Sequence, residues 1–183
     1  MAKPAELTIE AIKSAKTDER LLNMISDELE RCLPRRPSED IAAYVRAIRA
    51  LPRGLRAMAA TYDLDVSVTL DDLAWHFLNW YDRDLAEETR QGLIELEAHD
   101  FARWFEEAYA IISPFWDAMG SVRLGTGPDW GEWIEESGLK AQLAPLNDRF
   151  WEMFSAKPRR GIIELWVPYA RKYPERLVPE SVR

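Results

Sequence analysis

The chain has 183 residues, of which 47% are hydrophobic and 31% are charged, and its formal net charge is −8. This length and hydrophobic content suffice for one folded domain with a buried core, and they exclude an intrinsically disordered chain. No segment reaches the ~18 apolar residues that a membrane-spanning helix needs, and the N-terminal stretch lacks the apolar core of a signal peptide. A single cysteine, Cys32, cannot form an internal disulfide. We therefore expect a cytoplasmic protein without a membrane segment.

The first half of the chain shows the 3.6-residue apolar period of helices rather than the alternation of strands. Thr17 is expected to cap a helix over "TDERLLNMISDELERCL", and Ser38 a second helix over "SEDIAAYVRAIRAL". Pro52 should open a short helix through "GLRAMAATYDL". "DLDVSV" then reads as a connector, and Thr69 as the N-cap of a helix that continues through "LAWHFLNW".

The second half shows the same period. A helix from Asp84, "DLAEETRQGLIELEA", precedes "AHDFARWFEEAYAIISPFWDAM", whose apolar stripe includes Trp104 and Phe105 and marks it as the core helix. Pro114 should kink this helix because it removes a backbone donor. After the Gly-rich "GSVRLGTG", two more helices are expected around "LAPLNDRFWEMFS" and "RGIIELWVPYARKY".

These elements predict a compact all-α domain of about seven to nine helices over residues 1–183. Residues 1–37 are interpreted as an N-terminal helical extension, and residues 119–140 as an inserted loop with a short helix.

Acidic residues are concentrated in the middle of the chain. The segment from Asp63 to Ser137 has 18 acidic and 4 basic residues, and the remainder has 14 acidic and 20 basic ones. On the predicted helices, nine carboxylates should project opposite the apolar stripe at spacings of ~5 to 10 Å, which resembles phosphate spacing along a duplex. These candidate partner-binding residues are Asp82, Asp84, Glu87, Glu88, Glu95, Glu97, Asp100, Glu106 and Glu107.

Two other readings of charged residues remain open. A stripe at helical spacing is formed by Arg46, Arg49, Arg53 and Arg56. It either contacts phosphate or nucleic acid, or neutralises the acidic segment within the chain or on a second copy of it. A metal-dependent hydrolase would use four residues of the stretch "YDLDVSVTLDDLAWH", namely Asp63, Asp65, Asp72 and His76.

The residue spacing in this stretch argues against a metal site. The spacing from Asp63 resembles a calcium loop, but that loop needs glycine at its sixth position and glutamate at its twelfth, where this chain has Val68 and Ala74. His76 has no serine or cysteine partner nearby in sequence. We therefore expect no enzyme, no cofactor and no metal site.

The segment "TLDDLAWHFLNWYDRDLAEETRQGLIELEAHDFARWFEEAYAII" resembles the central pattern of a bacterial all-helical family of unknown function, one member of which is a DNA-mimic protein. Phe77 and Trp80 match its aromatic positions, and a following helix matches "LAxEAxxxLxxIGA" at Leu85, Ala86, Glu88, Leu93, Leu96 and Ala98. The family's Asn-Gly-Gly turn is absent, and "TLDDLAWHF" stands in its place. The resemblance extends over residues 55–178 and implies a helical fold and a homodimer.

Charge and resemblance together predict an acidic protein-binding module. Its expected partner is a basic protein such as a DNA-binding regulator, which it would engage as a DNA mimic. Direct binding of this chain to DNA is not expected, because both are negatively charged.

Overall fold

In a computed structural model, which describes residues 7–155 and 161–179, the chain folds into α-helices without any strand in those two ranges. The helices, in chain order, are α1 (Ile9–Ser14), α2 (Asp18–Cys32), α3 (Ile41–Arg49), α4 (Arg53–Leu70), α5 (Leu73–Asn79), α6 (Arg83–Glu95), α7 (His99–Ile112), α8 (Trp116–Arg123), α9 (Trp130–Glu136), α10 (Leu139–Ser155) and α11 (Trp166–Lys172). Short 3₁₀ turns lie at Pro37–Glu39, Ser113–Phe115, Ile163–Leu165 and Pro174–Arg176. The all-α prediction is confirmed.

Helix α4 is the central element of the fold. It packs against α2, α3, α5 and α6, while α7 packs against both α6 and α10. Leu55, Met58 and Leu64 of α4 are almost completely buried. Helix α11 returns to α1 and α2, so the C-terminal part of the chain closes the domain over its N-terminal helices.

The contact between α4 and α6 is close because α6 carries a glycine there. A Cβ atom placed on Gly92 would lie 2.9 Å from the carbonyl oxygen of Ala57 and 3.1 Å from Cγ2 of Thr61. Both distances are shorter than ordinary van der Waals contacts, so the backbones approach to a separation that no larger residue permits. Gly92, Ala57 and Thr61 therefore determine how closely α6 approaches α4.

Helix α7 supplies large aromatic side chains to the core, as its apolar stripe predicts. Trp104 and Phe105 are fully buried, and the indole Nε1 of Trp104 donates a 2.8 Å hydrogen bond to the carbonyl of Leu146 on α10. Phe105 stacks on Phe77 of α5 with ring centroids 5.4 Å apart. Helix α7 is therefore the core helix, and its stripe joins α5 and α10.

The interpretation of "DLDVSV" as a connector is wrong, because α4 continues through it to Leu70. Leu64 and Val68 in this stretch are buried in the core, and the neighbouring aspartates find hydrogen-bond donors on other elements. Thr69 is not an N-cap but donates a 2.7 Å hydrogen bond to the carbonyl of Asp65 within the helix. The N-cap of α5 is Asp72, whose side chain accepts from the Trp75 amide at 2.9 Å.

Other helix boundaries also differ from the expectation. Asp40, not Ser38, caps α3, and the helix predicted from Asp84 begins one residue earlier, behind the N-cap Asp82. At Pro114 the chain makes a 3₁₀ turn that ends α7 and starts α8, instead of a kink within one helix. The predicted cap at Thr17 is confirmed. Pro52 directly precedes α4, as expected, but this helix has 18 residues and is not short.

Residues 119–140 comprise the end of α8, a loop, the short helix α9 and the first two residues of α10. The start of the predicted extension, residues 1–6, and the first residue of the last predicted helix, Arg160, lie outside the described residues. Within the two described ranges, no helix is both long and apolar enough to cross a membrane.

Candidate partner-binding surface

The nine predicted partner-binding carboxylates lie on α6, on α7 and at the two ends of α6. Asp82 is the N-cap of α6, where its side chain accepts a 2.9 Å hydrogen bond from the Leu85 amide. Glu97 follows the end of α6 with a φ of 59°, which is the left-handed region that L residues rarely adopt. The other seven residues lie within the two helices, so the structure brings the whole set onto one pair of packed elements.

Glu88 does not project into solvent, and the prediction that it does is wrong. Its side chain is only 4% exposed and lies between two arginines of the predicted stripe. Arg49 donates to it at 2.7 Å, and Arg56 donates twice, at 2.6 and 2.8 Å. Burial by itself would raise the pKa of Glu88, but the hydrogen bonds from Arg56 and Arg49 outweigh it and hold the pKa below its usual range.

Glu95 is buried in a similar way, with a side-chain exposure of 9%. It accepts hydrogen bonds from Arg53 at the start of α4, from the hydroxyl of Tyr169 on α11, and from Arg176 at 2.8 Å. Burial raises the pKa of Tyr169, and its bond to Glu95 raises it further. Glu95 thus has a structural role. It joins α6 to α4, to α11 and to the 3₁₀ turn at Pro174–Arg176, which we call the C-terminal turn.

Glu97 makes comparable contacts from a more exposed position. It accepts from Nζ of Lys172 at 2.7 Å and from the hydroxyl of Tyr173 at 2.6 Å, and these bonds lower its pKa. The side chain therefore connects the turn after α6 to the end of α11.

Besides Glu97, five of the nine carboxylates are exposed, with side-chain accessibilities between 46% and 75%. This exposed acidic set consists of Asp84, Glu87, Asp100, Glu106 and Glu107. Arg90 bridges two of its members, at 2.8 Å to Glu87 and 3.1 Å to Glu106. Hydrogen bonds from Arg90 and Gln91 lower the pKa of Glu87 to about 2, so this carboxylate is charged at neutral pH.

The surface is more nearly neutral than its sequence suggests. Eight of the nine carboxylates form ion pairs, and eight cations take part in them, namely Arg49, Arg53, Arg56, Arg90, Arg103, Arg149, Lys172 and Arg176. Several of these cations come from α10, α11 and the C-terminal turn, far away in sequence. Their pairing could not be predicted from the sequence, because nothing local to Arg149, Lys172 or Arg176 indicates their partners.

The arginine stripe is largely used inside the protein. Arg49, Arg53 and Arg56 all bind carboxylates of α6, as the internal-neutralisation reading predicts. Arg46 is exposed, and it forms no ion pair with the residues that the structure describes. Three of the four arginines of the stripe are thus already paired with carboxylates of this chain.

The residues of the hydrolase reading do not form one cluster. Asp63 accepts from the Tyr44 hydroxyl, Asp65 accepts from the Ile162 amide at 2.7 Å, and Asp72 caps α5. His76 is buried beside Phe77 and Phe105. In the described part of the chain, no group of three or more His, Cys, Asp or Glu residues is arranged to hold a metal ion.

Fold and surface define a compact all-helical protein whose acidic helices are held by ion pairs from several other elements. The chain belongs to the DMP19-like protein family, whose model matches residues 49–173. The match covers more than half of the chain, from the last residue of α3 to the end of α11, and agrees with the family resemblance found in the sequence. A comparison with curated proteins gave no significant match, and neither did one with solved structures.

Proposed function

We propose that this protein is an acidic binding module that engages the basic surface of a DNA-binding or regulatory protein as a DNA mimic. The observation that carries the proposal is the exposed acidic set on α6 and α7, in a chain of net charge −8. Its resemblance to a family with a DNA-mimic member adds support. A partner that evolved to bind phosphates presents lysine and arginine side chains, which carboxylates attract by the same electrostatic forces.

Seven of the nine carboxylates divide into two roles under this proposal. Glu88 and Glu95 are buried and hold α4, α6 and the C-terminal turn together. The exposed acidic set can reach a partner. Exposed ion pairs contribute only ~0 to 1 kcal/mol, so a cation of the partner can join or replace an internal one at little cost.

Arg90 contributes to this surface by ordering it. Because it binds Glu87 and Glu106 together, the two carboxylates keep a defined separation before any partner arrives. Side chains that are already ordered lose less conformational entropy on binding, which improves affinity. The arrangement favours recognition of a fixed pattern of cations rather than a general attraction to any basic protein.

The test is neutralisation of the exposed acidic set in one variant, with Asp changed to Asn and Glu to Gln. Its control neutralises five exposed carboxylates elsewhere that make no ion pair with the described residues, so both variants change the net charge equally. The control residues are Glu10, Glu19, Asp27, Glu164 and Glu175. Partners are captured from an extract of the native cells and quantified by mass spectrometry.

The proposal predicts that the first variant loses the captured basic protein and that the control retains it. Equal loss in both variants would mean that only net charge matters, and unchanged capture in the first variant would reject α6 and α7 as the binding surface. Circular dichroism of both variants confirms that each remains folded.

A further inference from the structure

A cavity of about 640 Å³ lies where the end of α2 and residues 33–37 meet α3, α4 and α11. Its walls include Leu29, Leu33, Tyr44, Tyr62, Asp63 and Trp166. Cavities that bind small organic molecules are commonly of this size and are lined by apolar and aromatic groups with few polar ones. This one lies away from the exposed acidic set, and the proposed function does not use it.

Asp63 gives the cavity a buried carboxylate. The residue is only 9% exposed, and its Oδ2 atom accepts a 2.8 Å hydrogen bond from the hydroxyl of Tyr44. That hydroxyl also lies 3.3 Å from the carbonyl of Ala59. Oδ1 of Asp63 has no hydrogen-bond partner, and the carboxylate no cation, among the described residues. A buried carboxylate without a counter-charge is costly, so a cation that reaches it is bound favourably.

None of the other described charged or titratable groups around Asp63 supplies a cation that pairs with its carboxylate. Glu30 and Arg35 line the same cavity, on α2 and on the segment after it, but neither forms an ion pair with Asp63. His76 is buried, and its pKa is lowered to about 3 by that burial, so its ring is neutral. Burial also disfavours the charged form of Asp63 and raises its pKa to about 6, although the hydrogen bond from Tyr44 lowers it. The carboxylate is therefore largely ionised at neutral pH and becomes protonated in mildly acidic solution.

Aromatic rings form the neighbouring wall. The ring of Tyr62, which is 46% exposed, lies 6.2 Å from that of Trp166, measured between centroids. Nε1 of Trp166 is buried and has no hydrogen-bond acceptor among the residues that the structure describes. Faces of tyrosine and tryptophan attract ammonium groups, and their area also favours an apolar ligand body. The wall suits a molecule that combines both features.

We propose that this cavity binds a small organic amine, with its ammonium group at the carboxylate of Asp63 and its apolar body against Tyr62 and Trp166. Carboxylate ligands are excluded by repulsion, and uncharged ligands gain only the apolar contact.

The experiment uses three probes with the same phenyl body: phenethylamine, 2-phenylethanol and 3-phenylpropionate. Binding to the full chain is measured by isothermal titration calorimetry and by saturation-transfer NMR. A charge-assisted hydrogen bond accounts for at least about a tenfold difference in affinity, so the amine should bind at least tenfold more tightly than either analogue. Lowering the pH from about 7.5 to about 5 should weaken amine binding by about tenfold, because most of the Asp63 carboxylate is then protonated.

Variants locate the site. Asp63→Asn keeps an acceptor for the Tyr44 hydroxyl and should reduce amine affinity by at least about tenfold. Tyr62→Ala, at a half-exposed residue that the core does not need, should weaken the amine and the alcohol alike. Glu30→Gln removes a charge at the same cavity without touching Asp63 and is the matched control, with affinity expected within about threefold of the wild type.

Several results would overturn the proposal: no binding of phenethylamine at about 10 mM, equal affinity for all three probes, or unchanged amine affinity in Asp63→Asn. Should Asp63→Asn fail to fold, the pH dependence of the wild type and the Tyr62→Ala variant decide the question. Amine binding that is affected neither by the change of pH nor by Tyr62→Ala would also reject the site.

Discussion

Arg56 of α4 binds Glu88 of α6 through two hydrogen bonds, with Nε 2.6 Å from Oε2 and Nη2 2.8 Å from Oε1. The two residues are separated by 32 positions in sequence and join the central helix to the helix that carries four of the nine predicted binding residues. Glu88 therefore has a structural role and is not part of the binding surface, because a carboxylate this deeply buried cannot reach a partner.

Glu88→Gln should therefore destabilise the protein more than the same change at its neighbour Glu87. Loss of the buried carboxylate leaves two arginines without their main partner, which we expect to lower the free energy of unfolding by ~1 to 3 kcal/mol. Both arginines are 42% exposed, so water can solvate them in part and the loss stays below that of a fully buried pair. Glu87→Gln removes an exposed pair and should change stability by less than ~1 kcal/mol. Urea denaturation measures both, and equal effects would contradict the structural role of Glu88.

Gly92→Ala should also destabilise the protein, although alanine favours helices by ~1 kcal/mol relative to glycine. The added methyl group would lie 2.9 Å from the Ala57 carbonyl oxygen, so α4 and α6 would have to separate, at a cost of ~1 to 3 kcal/mol. Gln91→Ala, at the exposed neighbouring position, is the control and should be nearly neutral. Thermal unfolding compares them, and a stabilised Gly92→Ala variant would mean that the two helices do not approach this closely.

Two substitutions at Glu97 separate the energetic cost of its backbone conformation from the contribution of its side-chain hydrogen bonds. Its φ of 59° falls where the family pattern "LAxEAxxxLxxIGA" has glycine. Glu97→Ala loses the bonds to Lys172 and Tyr173 and keeps the strained backbone, whereas Glu97→Gly loses the bonds and relieves the strain. The glycine variant should be more stable than the alanine variant by ~1 kcal/mol. Equal stabilities in chemical denaturation would refute a strained backbone at this turn.

His76 predicts a specific pH dependence of stability. Its pKa is lowered from 6.5 to about 3 by burial, despite a hydrogen bond to the backbone of Asp63, and its Nδ1 atom has no partner in the described part of the chain. Between these two pH values the unfolded chain binds a proton that the folded protein does not, so the histidine destabilises the fold progressively as the pH falls. The effect should approach ~1.4 kcal/mol per pH unit.

His76→Leu removes this contribution while other ionisable groups remain. The difference in unfolding free energy between wild type and variant should therefore shift in favour of the variant as the pH is lowered from about 6.5 to about 5. Denaturant titrations at several pH values measure it. A difference that stays constant over this range would contradict a buried, neutral His76.

Local patterns in the sequence were sufficient for the helical class and for the core. The stripe through Trp104 and Phe105 marks a buried face because its 3.6-residue spacing depends only on neighbouring residues. Thr17 is recognised as a cap for the same reason. Two aspartates misled the prediction for α4, since Asp63 and Asp65 usually favour a connector and their donors, Tyr44 and Ile162, are 19 and 97 positions away.

The site was harder to predict than the fold. Sequence spacing correctly placed nine carboxylates on α6, on α7 and beside them, but it could not show which ones are buried. Burial of Glu88 and Glu95 depends on how α3, α4 and the C-terminal turn pack against α6, and this packing follows from contacts across the whole chain. A carboxylate surface inferred from helical spacing therefore overestimates the charge that remains available to a partner.

The most direct test of the account is competition between duplex DNA and this protein for a captured partner. The partner, purified with this chain at low salt, is challenged with duplex DNA and, separately, with increasing salt. If the protein is a DNA mimic, DNA should displace it, the complex should dissociate steeply as ionic strength rises, and the protein alone should not bind DNA. A complex that withstands both duplex DNA and high salt, or direct binding of this protein to DNA, would contradict the assignment as a DNA mimic.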